Sequence, residues 1–358
     1  MDAAGVDPAF AFPAERIADW STAVDIARVI HGPGPRIVGE DRDRLREELA
    51  ALTAEAEVAV ASFTGLTVDG PAARAWVMGR GDWVRRNTIG LQRLMEPLAA
   101  RLLESKPERS ALSRKALGAQ IGTILGYVAR RVLGQYDVFL PPDDDGLIYF
   151  VGPNLVDFER RFALHPRDFR LWVAIHEVTH RVQFGVAPWL RGYLGGLVDE
   201  YLASISLENG ALMGQLKDAA EELQRGRGAV EGLGGVLLLL TPPQREIFAK
   251  TQAMMSLLEG HASYVMNEVA KDLVTDLPRL RRALAERRST KGVEKAFQRA
   301  IAFDQKVAQY DAGERFVRMV VDEVGMVAFN RVWEREEHLP TPDEIATPRR
   351  WVSRVVGT

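Results

Sequence analysis

The sequence predicts a mainly α-helical protein of the α+β class, with a small β-hairpin or sheet and an N-terminal helical bundle. Apolar residues recur with helical spacing along most of the chain, and glycine or proline interrupts this pattern at several points. One region alone, between Asp137 and Gly152, carries a convincing β signal. These observations together predict many helices and few strands.

Helical spacing predicts four helices in the first part of the chain, from Glu15 to Ile30, Asp41 to Ser62, Arg80 to Leu103 and Ser110 to Leu133. We expect them to form an N-terminal helical region, residues 1–135. A second region, residues 136–358, then follows with a helical C-terminal part, unless both belong to one continuous domain. The glycine-rich stretch from Gly226 to Gly235 is the expected flexible joint.

The β signal consists of two runs of β-favouring residues, Val138–Leu140 and Leu147–Val151, around a turn that contains Asp145 and Gly146. This order predicts a β-hairpin with a loop longer than the minimum. After it, apolar spacing and proline positions predict three further helices, from Asp168 to Phe184, from Trp189 to Leu207 and from Gln244 to Lys271.

The composition excludes several classes of function. The chain of 358 residues has no cysteine, which excludes disulfides, iron–sulfur clusters and zinc sites built from thiolates. A net charge of −3 gives no general attraction to nucleic acid or anionic lipid, so neither is an expected partner. No signal peptide or bilayer-spanning apolar run is visible, so a cytoplasmic location is expected. The sequence carries no signal for an oligomeric state.

The segment His176-Glu177-Val178-Thr179-His180 is the strongest functional signal in the chain. Residues four apart lie on one face of a helix, so both imidazoles can bind one metal ion. Glu177 lies about 100° further round the helix, where its carboxylate can activate a water molecule without binding the metal. In so apolar a helix, two histidines without partners would be costly. We therefore predict that His176 and His180 bind zinc and that Glu177 is catalytic.

A catalytic zinc ion typically has three protein ligands, so a third is needed. Glu259 is surrounded by apolar residues, where an unpaired carboxylate would be costly. Gly260 beside it would let this helix approach the metal-binding helix closely. These points favour Glu259 as the third ligand, with Glu200 and His261 as the open alternatives.

Two family resemblances carry the interpretation further. The segment Glu259-Gly260-His261-Ala262-Ser263-Tyr264 is similar to the Glu-Gly-x-Ala-Ser-Tyr motif of gluzincin aminopeptidases, whose Glu is the third zinc ligand. Together with His176–Phe184 and Ala187–Leu190, the chain resembles the zincin-like metallopeptidase type 2 family, formerly a domain of unknown function. That family is labelled as associated with biosynthesis of a deazaflavin coenzyme. The resemblance covers most of the chain and implies a zincin-like metallopeptidase core within residues 136–358.

The chain departs from the gluzincin pattern at the residue that orients a metal ligand. Ser263 stands where well-studied gluzincins have an aspartate four residues after the glutamate ligand. This leaves open which side chain orients the histidines here.

The motif and the resemblance imply a zinc-dependent metallohydrolase, with a peptidase favoured, that hydrolyses a peptide or amide bond. An edge strand at Leu147–Val151 would align an extended substrate. The alternative is a catalytically silent zincin scaffold that acts as a binding or assembly protein in coenzyme metabolism.

Several further residues are weaker candidates. His261, Tyr264 and Tyr310 could stabilise an oxyanion. For each tyrosine, however, a core ring with a satisfied hydroxyl is the favoured interpretation. Packing and helix capping are the favoured roles for three residues at the end of the metal-binding helix: Gln183, Phe184 and Trp189.

Overall fold

Helices make up most of the computed structural model, which describes residues 13–37, 39–105, 110–136, 146–204, 240–288 and 303–357. The elements up to residue 162 are α1 Pro13–Ile17, α2 Trp20–His31, α3 Glu40–Thr64, β1 Arg74–Met78, α4 Arg80–Ser105, α5 Ala111–Ala129, β2 Gly134–Tyr136, β3 Leu147–Val151 and α6 Gly152–Phe162. The mainly helical α+β class is therefore confirmed.

The remaining elements are almost all helical. They are α7 Pro166–Val186, α8 Trp189–Ala203, α9 Pro242–Leu273, α10 Leu277–Arg288, α11 Phe303–Phe329, two 3₁₀ turns at Asn330–Trp333 and Glu336–His338, α12 Pro342–Ala346, α13 Pro348–Trp351 and a π-helical segment Val352–Val356. Gly325 interrupts α11 with φ 81° and ψ 163°. No described helix combines the length and the apolar character needed to span a bilayer.

The predicted helices are present, with local differences. The expected helix from Glu15 to Ile30 is two helices, because Asp19 caps the start of α2 by accepting a hydrogen bond from the Thr22 backbone N–H at 3.0 Å. The sequence did not predict β1 or α6. Residues 205–207 of the helix expected after Trp189 lie outside the described residues, as does the expected joint from Gly226 to Gly235.

Contacts between residues divide the chain into two units. The first unit contains the described residues of Met1–Glu48, Ala75–Asp143 and Leu147–Arg161. The second contains those of Leu49–Arg74, Asp144–Gly146 and Phe162–Thr358. Each unit is therefore built from segments that are separated along the chain.

The first unit contains a three-stranded sheet in the order β1-β3-β2. Strands β2 and β3 are antiparallel, with Gly134 opposite Phe150 and Tyr136 opposite Ile148. Because β3 has a neighbour on each side, the expectation that Leu147–Val151 forms an edge strand was wrong. The other expected hairpin strand, Val138–Leu140, lies outside the described residues.

In the same unit, a row of glycines lets α5 pack closely against α2. Gly118, Gly122 and Gly126 are buried and lie four residues apart on one face of α5. A Cβ atom on Gly122 would lie 2.3 Å from the Ala23 carbonyl oxygen, and one on Gly118 would lie 2.1 Å from that of Asp19. The two backbones can approach only because these positions carry no side chain.

In the second unit, α9 packs against both α7 and α11. Its start is fixed by a capping box, in which Thr241 and Gln244 exchange side chain–backbone hydrogen bonds. A Cβ atom on Gly260 would lie 2.1 Å from the Gly313 carbonyl carbon of α11. Gly260 therefore permits close approach of α11, and the expectation that it serves the approach of the metal-binding helix α7 was wrong.

The glycine row yields a prediction about stability. Gly122→Ala should lower the free energy of unfolding by about 1–3 kcal/mol, because the added methyl group overpacks the contact of α5 with α2. Gly81→Ala is the control in the same unit, because its Cβ atom would meet only the end of the Arg85 side chain at 3.7 Å. Thermal unfolding followed by circular dichroism measures both variants. Equal midpoints for the two would contradict this explanation of the packing.

Candidate metal centre

Two helices of the second unit supply the candidate site. Helix α7 carries His176, Glu177 and His180, and α9 carries Glu259. Pro166 at the first position of α7 favours helix initiation there, and the apolar residues along α7 are buried. The two histidines follow one another by one helical turn, so they share the face of α7 that meets α9.

Three potential ligand atoms converge between these helices. The Nε2 atoms of His176 and His180 lie 3.2 Å apart. Oε2 of Glu259 lies 3.5 Å from the first of these nitrogens and 3.7 Å from the second. Within the described parts of the chain, this is the group of three His, Asp or Glu side chains whose ligand atoms come close enough to hold a metal ion. The three groups predicted as metal ligands are thus brought together.

The spacing of these atoms fits a tetrahedral metal ion. Ligand bonds of about 2.0–2.1 Å at tetrahedral angles place neighbouring ligand atoms about 3.3 Å apart. The three observed separations lie between 3.2 and 3.7 Å. Two imidazoles and one carboxylate are also a ligand set found in catalytic zinc sites, which keep a fourth position open. The residues present could therefore hold such an ion.

The ionisation of the site is set by the contacts among its own three groups. Burial alone would raise the pKa of Glu259, but hydrogen bonds from His176 and His180 hold that pKa well below its usual value. Burial would likewise lower the pKa of His180, but hydrogen bonding and the negative charge of Glu259 raise it to about 9. The carboxylate is therefore ionised at neutral pH, as a metal ligand must be.

Glu177 lies beside this group on α7. Its side chain is buried, and its negative charge contributes to the raised pKa of His180. The ligand atoms within reach of one ion are those of His176, His180 and Glu259, and Glu177 is not among them. A carboxylate that is close to the site but outside the ligand set is the arrangement required of a proton acceptor.

The far side of the His180 ring is held by an amide. Its Nδ1 donates a hydrogen bond to Oε1 of Gln183 at 2.9 Å. Packing and capping were the predicted roles of Gln183, and this contact with a predicted ligand was missed. The available signal was its position three residues after His180, on the same helical face. Nδ1 of His176, in contrast, is buried with no hydrogen-bond partner among the described residues.

The two alternative ligands lie elsewhere. Glu200 is on α8 and is not part of the converging group formed by the described residues. His261 is fully buried, and its ring packs against Phe329 and Trp333 with ring centroids 5.4 and 5.2 Å away. Burial, together with the positive charge of His180, lowers the pKa of His261 to about 3, so this imidazole is neutral.

The remaining candidates show packing contacts. Tyr264 contacts Phe63, and the Arg318 guanidinium lies 5.4 Å from the centre of its ring. The indole N–H of Trp189 donates a hydrogen bond to the Trp333 carbonyl oxygen at 3.0 Å, in agreement with the packing role predicted for Trp189. The side chain of Tyr310 lies outside the described residues.

An ion pair next to the motif attaches α7 to the rest of the second unit. Arg181 follows His180 directly and is almost fully buried, with 2 % of its side chain exposed. Its guanidinium donates to the Glu57 carboxylate of α3 and to the Pro71 carbonyl oxygen. A second pair between the same helices, Arg167 with Glu55, is much more exposed. The buried pair lies nearer the metal motif along α7.

The site and the fold define a class of protein. A mainly helical chain presents a His-Glu-x-x-His helix, and a second helix completes the ligand set with a glutamate. This is the arrangement of zincins that use a glutamate as their third ligand.

Comparisons with known proteins agree with this class. The chain belongs to the zincin-like metallopeptidase family, whose sequence profile matches residues 18–352. It is also similar to a crystal structure from Chloroflexus aurantiacus described as "a putative hydrolase with a novel fold". The two are 31 % identical with a TM-score of 0.70, over 94 % of this chain and 98 % of that one. No curated protein matches the chain.

The two ion pairs of α7 yield a prediction. Arg181→Met should lower the free energy of unfolding by about 3 kcal/mol, because it breaks a largely buried pair and removes the guanidinium that donates to Glu57 and to the Pro71 carbonyl oxygen. Arg167→Met is the matched control, because its pair is exposed and should contribute less than about 1 kcal/mol. Chemical denaturation measures both variants. A larger loss for Arg167→Met would show that the buried pair does not anchor α7.

Proposed function

We propose that this protein is a zinc-dependent metallohydrolase that hydrolyses a peptide or amide bond, with a peptidase as the favoured activity. The observation that carries the proposal is the convergence of His176, His180 and Glu259, with Glu177 buried beside them. Membership of the zincin-like metallopeptidase family and the similarity to a protein described as a hydrolase support it.

In this proposal, His176, His180 and Glu259 hold the zinc ion. When bound, zinc supplies Lewis acidity, which polarises a carbonyl group and lowers the pKa of water. The three residues leave room for a fourth ligand position, which a hydrolytic site requires. The ionised carboxylate of Glu259 offsets part of the positive charge.

Glu177 moves the proton of the reaction. As water adds to the substrate carbonyl carbon, the Glu177 carboxylate accepts one of its protons. When the bond between carbon and nitrogen breaks, the protonated Glu177 donates that proton to the leaving amine. The carboxylate returns to its starting state, so one residue serves as base and then as acid. General acid–base catalysis of this kind typically accounts for about 10²–10⁴-fold in rate.

The ligand side chains are partly accessible. The exposed fractions are 22 % for His176, 14 % for His180 and 19 % for Glu259. A sealed cluster would favour a purely structural metal site, whereas partial exposure is what a small molecule or peptide requires for entry. This favours an enzyme over the alternative of a catalytically silent scaffold.

The role of Glu177 is tested by Glu177→Gln. We expect this variant to retain zinc, because Glu177 is not a ligand, and to lose hydrolysis by at least about 100-fold, because the amide cannot accept the proton. Peptide libraries analysed by mass spectrometry measure cleavage, and elemental analysis measures zinc. Cleavage at the wild-type rate would contradict the role of Glu177. A wild-type protein that binds zinc but cleaves nothing would favour the scaffold.

The third ligand is tested by Glu259→Gln, with Glu200→Gln as the matched control. Loss of a ligand should weaken zinc binding by more than the 10–100-fold typical of a lost outer hydrogen bond, so we expect more than about 100-fold. Glu200→Gln should bind zinc like the wild type. Competition with a chelator measures both. The reverse order of affinities would assign the site to Glu200 and contradict the arrangement proposed here.

A further inference from the structure

The side chain of Gln183 is buried between the two helices that form the metal centre. It is 0 % exposed and makes three polar contacts. Its Oε1 accepts a hydrogen bond from Nδ1 of His180 at 2.9 Å. Its Nε2 donates to the Leu258 carbonyl oxygen at 2.9 Å and to Nδ1 of His261 at 3.0 Å. Both hydrogens of the amide and its oxygen are therefore used.

This set of partners fixes the orientation of the amide. If the amide were rotated by 180°, Oε1 would face the Leu258 carbonyl oxygen, which cannot donate a hydrogen bond. The observed orientation is therefore the one that satisfies all the partners. Since an amide oxygen accepts but does not donate, Nδ1 of His180 must carry a hydrogen. In the neutral ring that a metal ligand requires, the lone pair is then on Nε2, the atom that faces His176 and Glu259.

The same amide also holds the helix that carries the third ligand. Leu258 directly precedes Glu259, so the hydrogen bond to its carbonyl oxygen fixes the α9 backbone one residue from the carboxylate. On the opposite side, α9 is held against α11 by the contact of Gly260 with Gly313. The α9 backbone at Glu259 is thus fixed from both α7 and α11.

His261 completes the support of the amide. Its Nδ1 accepts from Gln183, and its ring is held between Phe329 and Trp333. Because this ring is fully buried, it gives the amide a rigid acceptor that water cannot replace. His261 thus acts on the site through Gln183.

We propose that Gln183 is the positioning residue of the metal centre, which sets the tautomer of His180 and fixes the position of Glu259 relative to it. The proposal rests on the metal site of the proposed function. It assigns to one amide the orientation of two of the three ligands. Ser263 of α9 stands where well-studied gluzincins have an aspartate that orients a ligand, and in this proposal Gln183 of α7 provides the orienting contact.

The test compares two substitutions of Gln183. Gln183→Met keeps the approximate length of the side chain and removes all three hydrogen bonds. Gln183→Glu keeps an acceptor for His180 and removes the donors to Leu258 and His261. We expect zinc affinity to fall about 10–100-fold in Gln183→Met, the range for loss of an outer partner of a metal ligand. Gln183→Glu should bind zinc at least about tenfold more tightly than Gln183→Met, because the contact with His180 is retained.

The control is Gln244→Met, which makes the same replacement at another buried glutamine, in the capping box of α9. It should lower the thermal midpoint and leave zinc affinity unchanged. Cobalt substitution provides a second measurement. The visible absorption bands of bound Co²⁺ report ligand geometry, and they should shift in Gln183→Met but not in Gln244→Met.

The outcomes separate this inference from the proposed function. If Glu259→Gln binds zinc as tightly as the wild type, the metal site itself is wrong. If Glu259→Gln loses zinc while Gln183→Met keeps wild-type affinity and cobalt spectrum, the metal site stands and the positioning role of Gln183 is overturned. Equal losses of affinity in Gln183→Met and Gln244→Met would also overturn it, because general destabilisation would then account for both.

Discussion

The structure of the second unit depends on one electrostatic constraint, which is that a carboxylate on an apolar helix needs positive charge beside it. Glu259 is flanked along α9 by buried apolar residues, and its carboxylate meets the imidazoles of His176 and His180, of which His180 has its pKa raised to about 9. A charge left unpaired in such a position would be strongly destabilising. The meeting of these three side chains therefore adds a polar contact to the packing of α7 against α9.

The surrounding contacts hold α7 and α9 in the positions in which His176, His180 and Glu259 come together. Gly313 allows α11 to press directly on α9. Arg181 ties α7 to α3 through the Glu57 carboxylate. Between α7 and α9, the Gln183 amide adds hydrogen bonds to the apolar packing. Directional contacts of this kind fix a position more sharply than apolar packing does, which a metal site needs because ligand distances tolerate little variation.

Much of this could be predicted from the sequence, and what was missed depends on contacts between distant segments. The pairing of His176 with His180 follows from helical geometry within five residues, and the apolar context of Glu259 pointed to a buried partner. The close contact at Gly260 was expected, but the sequence does not say which helix approaches it. The contacts of Gln183 with α9 were missed for the same reason, because periodicity describes one helix at a time. Strand β1, with the sequence Arg-Ala-Trp-Val-Met, shows no alternation of apolar and polar residues, and only its Trp and Val strongly favour β-structure.

The central place of β3 in its sheet determines which strands of that sheet can pair with an added β-strand. The backbone of β3 is paired with β1 on one side and with β2 on the other. Because both sides of this strand are already paired, Leu147–Val151 cannot form backbone hydrogen bonds with an added β-strand. In the described sheet, pairing with an added strand is therefore open to the outer strands, β1 and β2.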